Sequence, residues 1–204
     1  PPKTVPHDNP ETEEALDGKV IRKQVTIYPT GKKGELPVDV LIYIPKDAEK
    51  PVPCFLGLNF KGNHSIQQDL GIKLNPRWMR NAPDRGIIDH KATEASRGTS
   101  TTRWPVEKIT ARGYALATAY YGDIDPDFDD GFQNGIHPYF YDEGQTKPEP
   151  DEWGSIGAWA FGLSRIMDYL QTDPAIDGGN VAVFGHSRLG KTSLWAGAQD
   201  ERFA

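Results

Sequence analysis

At 204 residues the chain is long enough for one sizeable domain, and an apolar share of 37% is ordinary for a globular protein. A formal charge of −6 gives no basic footprint, so nucleic acid and anionic membrane are excluded as expected partners. The single cysteine, Cys54, excludes an internal disulfide, and no apolar run approaches the roughly 18–20 residues that cross a bilayer.

Residues 1–18 are polar and proline-rich rather than leader-like, and read as an irregular lead-in with a short helical turn in "PETEEALDG". Residues 19–204 read as one domain. "VIRKQVTIYP" (20–29) and "PVDVLIYIP" (37–45) alternate apolar and polar positions, as half-exposed antiparallel strands do, and "TGKKGE" between them makes a hairpin. "VPCFLGLNF" (52–60) is apolar almost throughout and suits a strand covered on both faces. Residues 61–104 form a long excursion rich in Gly, Asn, Arg and Pro. In "VEKITARGYALATAYYGD" (106–123) a helix stops at Gly113 and an apolar strand follows. A second irregular stretch, 124–152, precedes "SIGAWAFGLSRIMDYLQTD" (155–173), whose apolar residues at 159, 163, 166, 167 and 170 keep helical spacing. "NVAVFG" is then a buried strand, and "LGKTSLWAGAQDERFA" starts as a helix. The order predicts a mixed α/β sheet with an antiparallel edge and a parallel centre.

The turn between the last strand and helix, "VAVFGHSRLGKTSLWAGA", can be parsed in two ways. Gly185 to Thr192 satisfies G-x-x-x-x-G-K-[ST], a phosphate-cradling loop. That loop needs inward-turned backbone N–H groups and hence small residues, whereas His186, Arg188 and Leu189 are bulky, and no later strand offers a magnesium-binding Asp. The same residues nearly satisfy G-x-S-x-G, the elbow that presents a nucleophilic serine. Gly185 stands two before Ser187, but Leu189 takes the place of the second glycine and Gly190 comes one later. "NFKGNH" (59–64) follows a buried strand, where an α/β-hydrolase places its oxyanion loop; Asn59, Phe60 and Lys61 are the candidates. A serine attacks an ester only when a base takes its proton and donors receive the carbonyl charge. Arg188 can serve through its backbone N–H and its permanently charged guanidinium, and Lys191 lies one helical turn beyond Ser187. His186 is rejected as the base, because adjacent residues on a tight elbow point apart; a bracing role is expected instead. His64 either lines the cleft or caps its loop, and His7, His90 and His137 read as surface residues.

Taken with "WGSIGAWAFGLSRIMDYLQTD" and "RWPVEKITARGYALATAYYGD", the run "GHSRLGKTSLWAGAQDERFA" resembles the glucuronoyl esterases of carbohydrate esterase family fifteen. The likeness covers most of residues 20–204. It implies an α/β-hydrolase three-layer sandwich, with Ser187 as nucleophile, Arg188 stabilising the oxyanion and Lys191 contacting sugar hydroxyls. It further implies a secreted or periplasmic enzyme, with no cofactor or metal, that acts on glucuronoxylan by hydrolysing esters of 4-O-methyl-glucuronic acid. Other carbohydrate esterases, acetyl-xylan esterase among them, and a non-catalytic sugar-binding fragment are the alternatives. A hydrolase triad runs serine, acid, histidine, yet after Ser187 the chain offers only Asp200 and Glu201, expected on the nucleophile helix, and no histidine. The chain therefore reads as an N-terminal half, truncated after the nucleophile helix, with the C-terminal remainder of the same protein as its expected partner.

Overall fold

The computed structural model describes residues 4–204. In chain order the elements are β1 (Glu11–Ala15), β2 (Val20–Ile27), β3 (Val38–Pro45), β4 (Val52–Asn59), β5 (Ile87–Ile88), β6 (Lys91–Ala92), α1 (Val106–Thr110), β7 (Ala115–Tyr120), α2 (Ser155–Leu170), β8 (Ile176–Val183) and α3 (Arg188–Gln199). One six-stranded sheet runs β1-β2-β3-β7-β4-β8, and β5 and β6 form a separate two-stranded sheet. Pairing is antiparallel from β1 through β3 to β7 and parallel from β7 through β4 to β8, so the antiparallel edge and parallel centre are both present.

Each parallel step needs a crossover helix, and the two crossovers run in opposite directions along the sheet, which sets their helices on opposite faces. Helix α1 packs on β7 and β3, whereas α2 packs on β8, β4 and β2 and against α3. Two cores result. Ile42, Leu56 and Ala117 meet Leu163 and Met167 under α2, while Leu41, Tyr43 and Leu116 meet Val106, Ile66 and Ile72 on the α1 side. The residues at 159, 163, 166, 167 and 170 are all buried, as their spacing predicts. Gly113, at φ 84°, turns the chain from the α1 end into β7.

The structure departs from the sequence reading in four places. The run 180–185, expected as a buried strand, lies at the β8 edge of the sheet, and within it Val181 alone is buried. Residues Glu11–Ala15, within the expected irregular lead-in and its helical turn, are the edge strand β1, registered from Glu11 opposite Gln24 to Ala15 opposite Val20. Residues 1–3 of that lead-in lie outside the described residues. Strand β3 is not half-exposed: it is flanked by β2 and β7 and covered on both faces, so Val40 and Leu41, on opposite sides, are each 1% exposed. The third helix stops at Gln199, so Asp200 and Glu201 follow it rather than ride on it.

Candidate active site

The ends of β4, β7 and β8 point the same way because the strands are parallel, and they carry Asn59–Lys61, Tyr121–Asp127 and Gly185–Ser187 to one rim of the sheet. Ser187 is the turning point between β8 and α3. Its backbone sits at φ 57°, ψ −127°, a left-handed conformation for a residue with a Cβ, and its side chain makes no capping bond to the helix it precedes. Such backbones cost on the order of 1–3 kcal/mol and persist only where the surroundings enforce them. Here the enforcement is visible. A Cβ on Gly185 would run into the Leu189 carbonyl oxygen and the Ser193 hydroxyl, so the strand end and the first helical turn approach as only glycine allows. Leu189 itself is 1% exposed and belongs to the core. That explains the displaced second glycine: the position two after the serine is used for packing, and Gly190 lies against the Gly185 carbonyl instead, where a Cβ would sit 3.3 Å from its oxygen.

Ser187, Arg188 and Lys191 are all exposed on one helix start. The carbonyl of Ser187 accepts from Gly190 N–H (2.9 Å) and Lys191 N–H (3.2 Å), closing the first turn. As the first helical residue, Arg188 has no intrahelical acceptor for its N–H, so that donor stands next to the serine. Its guanidinium reaches Asp127 on the segment after β7.

Beside this rim opens a cavity of about 710 Å³. One wall is Phe184, Gly185 and His186, another is Asn59, Phe60 and Lys61, and Ser65, Ser100, Arg103 and Trp104 close it. All three proposed oxyanion-loop residues therefore line it, but in different ways. The Asn59 side chain turns inward, donating to Asn63 Oδ1 (2.8 Å) and Thr118 Oγ1 (3.0 Å), which leaves its backbone at the rim. Phe60 packs edge-on against Tyr121 at 5.2 Å. Lys61 is half-buried and held below the ordinary lysine range, by burial first and then by Arg85. Ser187, Arg188 and Lys191 do not line this cavity; they stand at its edge, beyond His186.

The histidines divide differently from the sequence reading. His186 braces nothing: it is exposed and faces the cavity, while the neighbouring Ser187 does not. His64 is a loop brace. It is fully buried, its Nδ1 accepts from Asn75 N–H (3.5 Å), and its Nε2 bonds the Ser96 hydroxyl (2.8 Å), which in turn donates to the Thr93 carbonyl. Burial, and then Arg97, push its pKa down to about 4, so the ring is neutral. His137 is not a surface residue: it is 2% exposed, stacked on Trp153 at 4.8 Å and 3.3 Å from buried Asp125. His7 and His90 are exposed, as expected. Asp200 is tied to Arg202, which also holds buried Asp168 at 2.7 Å, so this acid has a structural partner away from the serine. Asp127 is the residue that sequence reasoning missed. It lies 61 positions before Arg188 in a stretch without periodicity, and no local signal marks it.

Known proteins resemble the chain in sequence and in fold. Residues 138–204 match the family described as glucuronyl esterase, fungi. The chain is 56% identical over 193 residues to the carbohydrate esterase MZ0003 of an unknown prokaryotic organism, covering 94% of this chain and 44% of that protein. The glucuronoyl esterase from Solibacter usitatus superposes with a TM-score of 0.89 at 47% identity, over 100% of this chain and 50% of the other. A promiscuous CE15 esterase from the marine bacterial metagenome superposes with a TM-score of 0.85 at 52% identity, over 98% of this chain and 50% of the other. The chain thus spans about half the length of the relatives it matches. The resemblance to the glucuronoyl esterases of carbohydrate esterase family fifteen runs the length of the chain, and the fold is theirs, an α/β-hydrolase.

Proposed function

We propose that the protein containing this chain is a serine esterase that hydrolyses esters of glucuronic acid and its 4-O-methyl ether. The observation that carries this reading is the strained backbone of Ser187, a cost retained at an exposed serine next to an arginine and at the edge of a cavity. In the proposed reaction the Ser187 oxygen attacks the ester carbonyl and gives up its proton to a base. Arg188 and a backbone N–H of the Asn59–Lys61 loop receive the negative charge on the carbonyl oxygen. The tetrahedral intermediate collapses, the alcohol departs with the proton, and water then releases the uronic acid from the serine. None of the five histidines is hydrogen-bonded to Ser187, so the reading calls for a base from outside these 204 residues. Lys191, on the same helix turn, is assigned to sugar hydroxyls. The cations Lys61, Arg85 and Arg103, with Trp104 and Phe184, suit a polar sugar ring that becomes an anion on hydrolysis. The link between glucuronoxylan and lignin alcohols is the proposed natural substrate, which places the enzyme outside the cytoplasm.

The test is turnover of methyl or benzyl glucuronate by the full-length protein. Ser187→Ala should lower kcat by about 10³-fold or more. Undiminished turnover in that variant ends the proposal, and a preference for acetyl over uronic esters moves it to another carbohydrate esterase activity.

A further inference from the structure

Arg188 is a long, exposed side chain on the first turn of a helix, and such a group ordinarily samples many rotamers. Here it is held. Its Nη1 bonds Asp127 Oδ2, and the same oxygen accepts from the Tyr121 hydroxyl at 2.8 Å and from Arg80 Nη2 at 3.4 Å; Arg80 also donates to the Asp127 carbonyl at 3.1 Å. The Asp127 side chain is only 17% exposed against 44% for that of Arg188, so the anchor is sheltered and the anchored group is not. Tyr121 is fixed in turn: its ring packs on Phe60 of the candidate oxyanion loop at 5.2 Å and on Trp159 of α2 at 5.0 Å. Burial, then the bond to Asp127, keep its phenol above the ordinary range, so it remains a donor. Phe60 of the loop, Tyr121 and Asp127 thus form one chain of contacts that ends on the Arg188 guanidinium.

We infer that Asp127, backed by Tyr121, is a positioning residue that fixes the Arg188 guanidinium over the Asn59–Lys61 loop before substrate arrives. The inference rests on the reading of Arg188 as the oxyanion donor. A carboxylate that holds an arginine by one Nη leaves the remaining N–H groups of the fork to face the reacting oxygen, and a donor held in place needs no reorganisation when charge develops. The partner also sets a requirement that Arg188 alone does not reveal. Asparagine at 127 keeps the shape and one acceptor oxygen but loses the charge-assisted bond.

The experiment is a double-mutant cycle in the full-length protein with Asp127→Asn, Arg188→Ala and the pair, measured on methyl glucuronate, with Arg188 side-chain nitrogen NMR on the first variant. Asp127→Asn should lower kcat by about 10- to 100-fold with KM within about twofold. In the Arg188→Ala background the same change should alter kcat by less than about twofold. In the spectra, the separate Nη signals of an arginine with hindered rotation should be present in the wild type and merge in Asp127→Asn. Tyr121→Phe, which keeps the ring packing, should give a smaller loss in the same direction. Equal losses in both backgrounds, a change confined to KM, or unchanged Arg188 signals would overturn the assignment. A wild type that turns over no glucuronate ester sinks the functional reading instead, and the NMR arm still decides whether Asp127 holds Arg188.

Discussion

Two walls of one cavity use similar residues in opposite ways. The elbow side, where Phe184 to His186 line the cavity and Ser187 to Lys191 stand at its edge, leaves His186, Ser187, Arg188 and Lys191 exposed and tolerates a left-handed serine. The facing wall, built from the 61–104 excursion, turns Arg85 and Arg103 to the cavity but rests on buried polar groups bonded to one another. His64 bonds Ser96 and accepts from Asn75, Asn75 donates to Asp123 Oδ1 at 2.9 Å, and Ser65 donates to the Gly62 carbonyl at 2.8 Å. Backbone bonds from Gly98 to His64 and from Ser100 to Ser65 stitch the same wall. The difference teaches how to separate reactive from structural polar residues here. A buried group with its partners satisfied holds a surface still, and an exposed group kept in a costly conformation is what that stillness serves.

The contrast can be broken most forcefully at Gly185. Gly185→Ala forces the added methyl into the Leu189 carbonyl and should cost about 3 kcal/mol or more, seen as a lower urea midpoint. A variant as stable as the wild type would show that the elbow is not crowded.

The structural wall is sharpened next by pH. Burial lowers His64 from 6.5 to about 4, so its stabilising contribution is complete above pH 6.5 and is lost as pH falls towards 4. Burial raises Asp123 from 3.8 to about 7, so its contribution is complete below pH 3.8 and is lost as pH rises through 7. Between pH 4 and 6.5 the two slopes oppose and nearly cancel. Asp123→Asn removes one of them, and the variant should lose about 3 kcal/mol relative to the wild type on acidification from pH 6.5 to 4. Parallel stability curves for the two proteins over that window would contradict the buried, linked pair.

The smallest effect concerns the serine itself. Ser187→Gly relieves the positive φ and should raise stability by about 1 kcal/mol while abolishing esterase activity. A loss of stability in that variant would mean that the serine side chain supports the turn rather than burdens it.

Much of this was legible in the chain because it is local. Alternation marked β2, helical spacing marked the buried stripe of α2, and a glycine two residues before a serine after an apolar strand marked the elbow. What stayed hidden is long-range. Strand β1 reads as charged coil because "ETEEA" has four residues exposed, leaving no alternation to detect; only pairing with β2 makes it a strand. His137 lies among Asp, Gly and Pro, yet Phe132, Trp153 and Asp125 converge on it from separate turns. Asp127 is defined by a partner 61 residues away, and Asn75 by Asp123 at a separation of 48.

The handedness of the backbone at residue 187 also limits which nucleophile could replace the one present. A β-branched side chain is a steric outlier at φ 57°, so threonine, though chemically an alcohol like serine, is a poor occupant of this corner. Cysteine carries no second branch and fits the same twist. Any exchange of nucleophile at this bend would therefore run through sulfur rather than through a secondary hydroxyl.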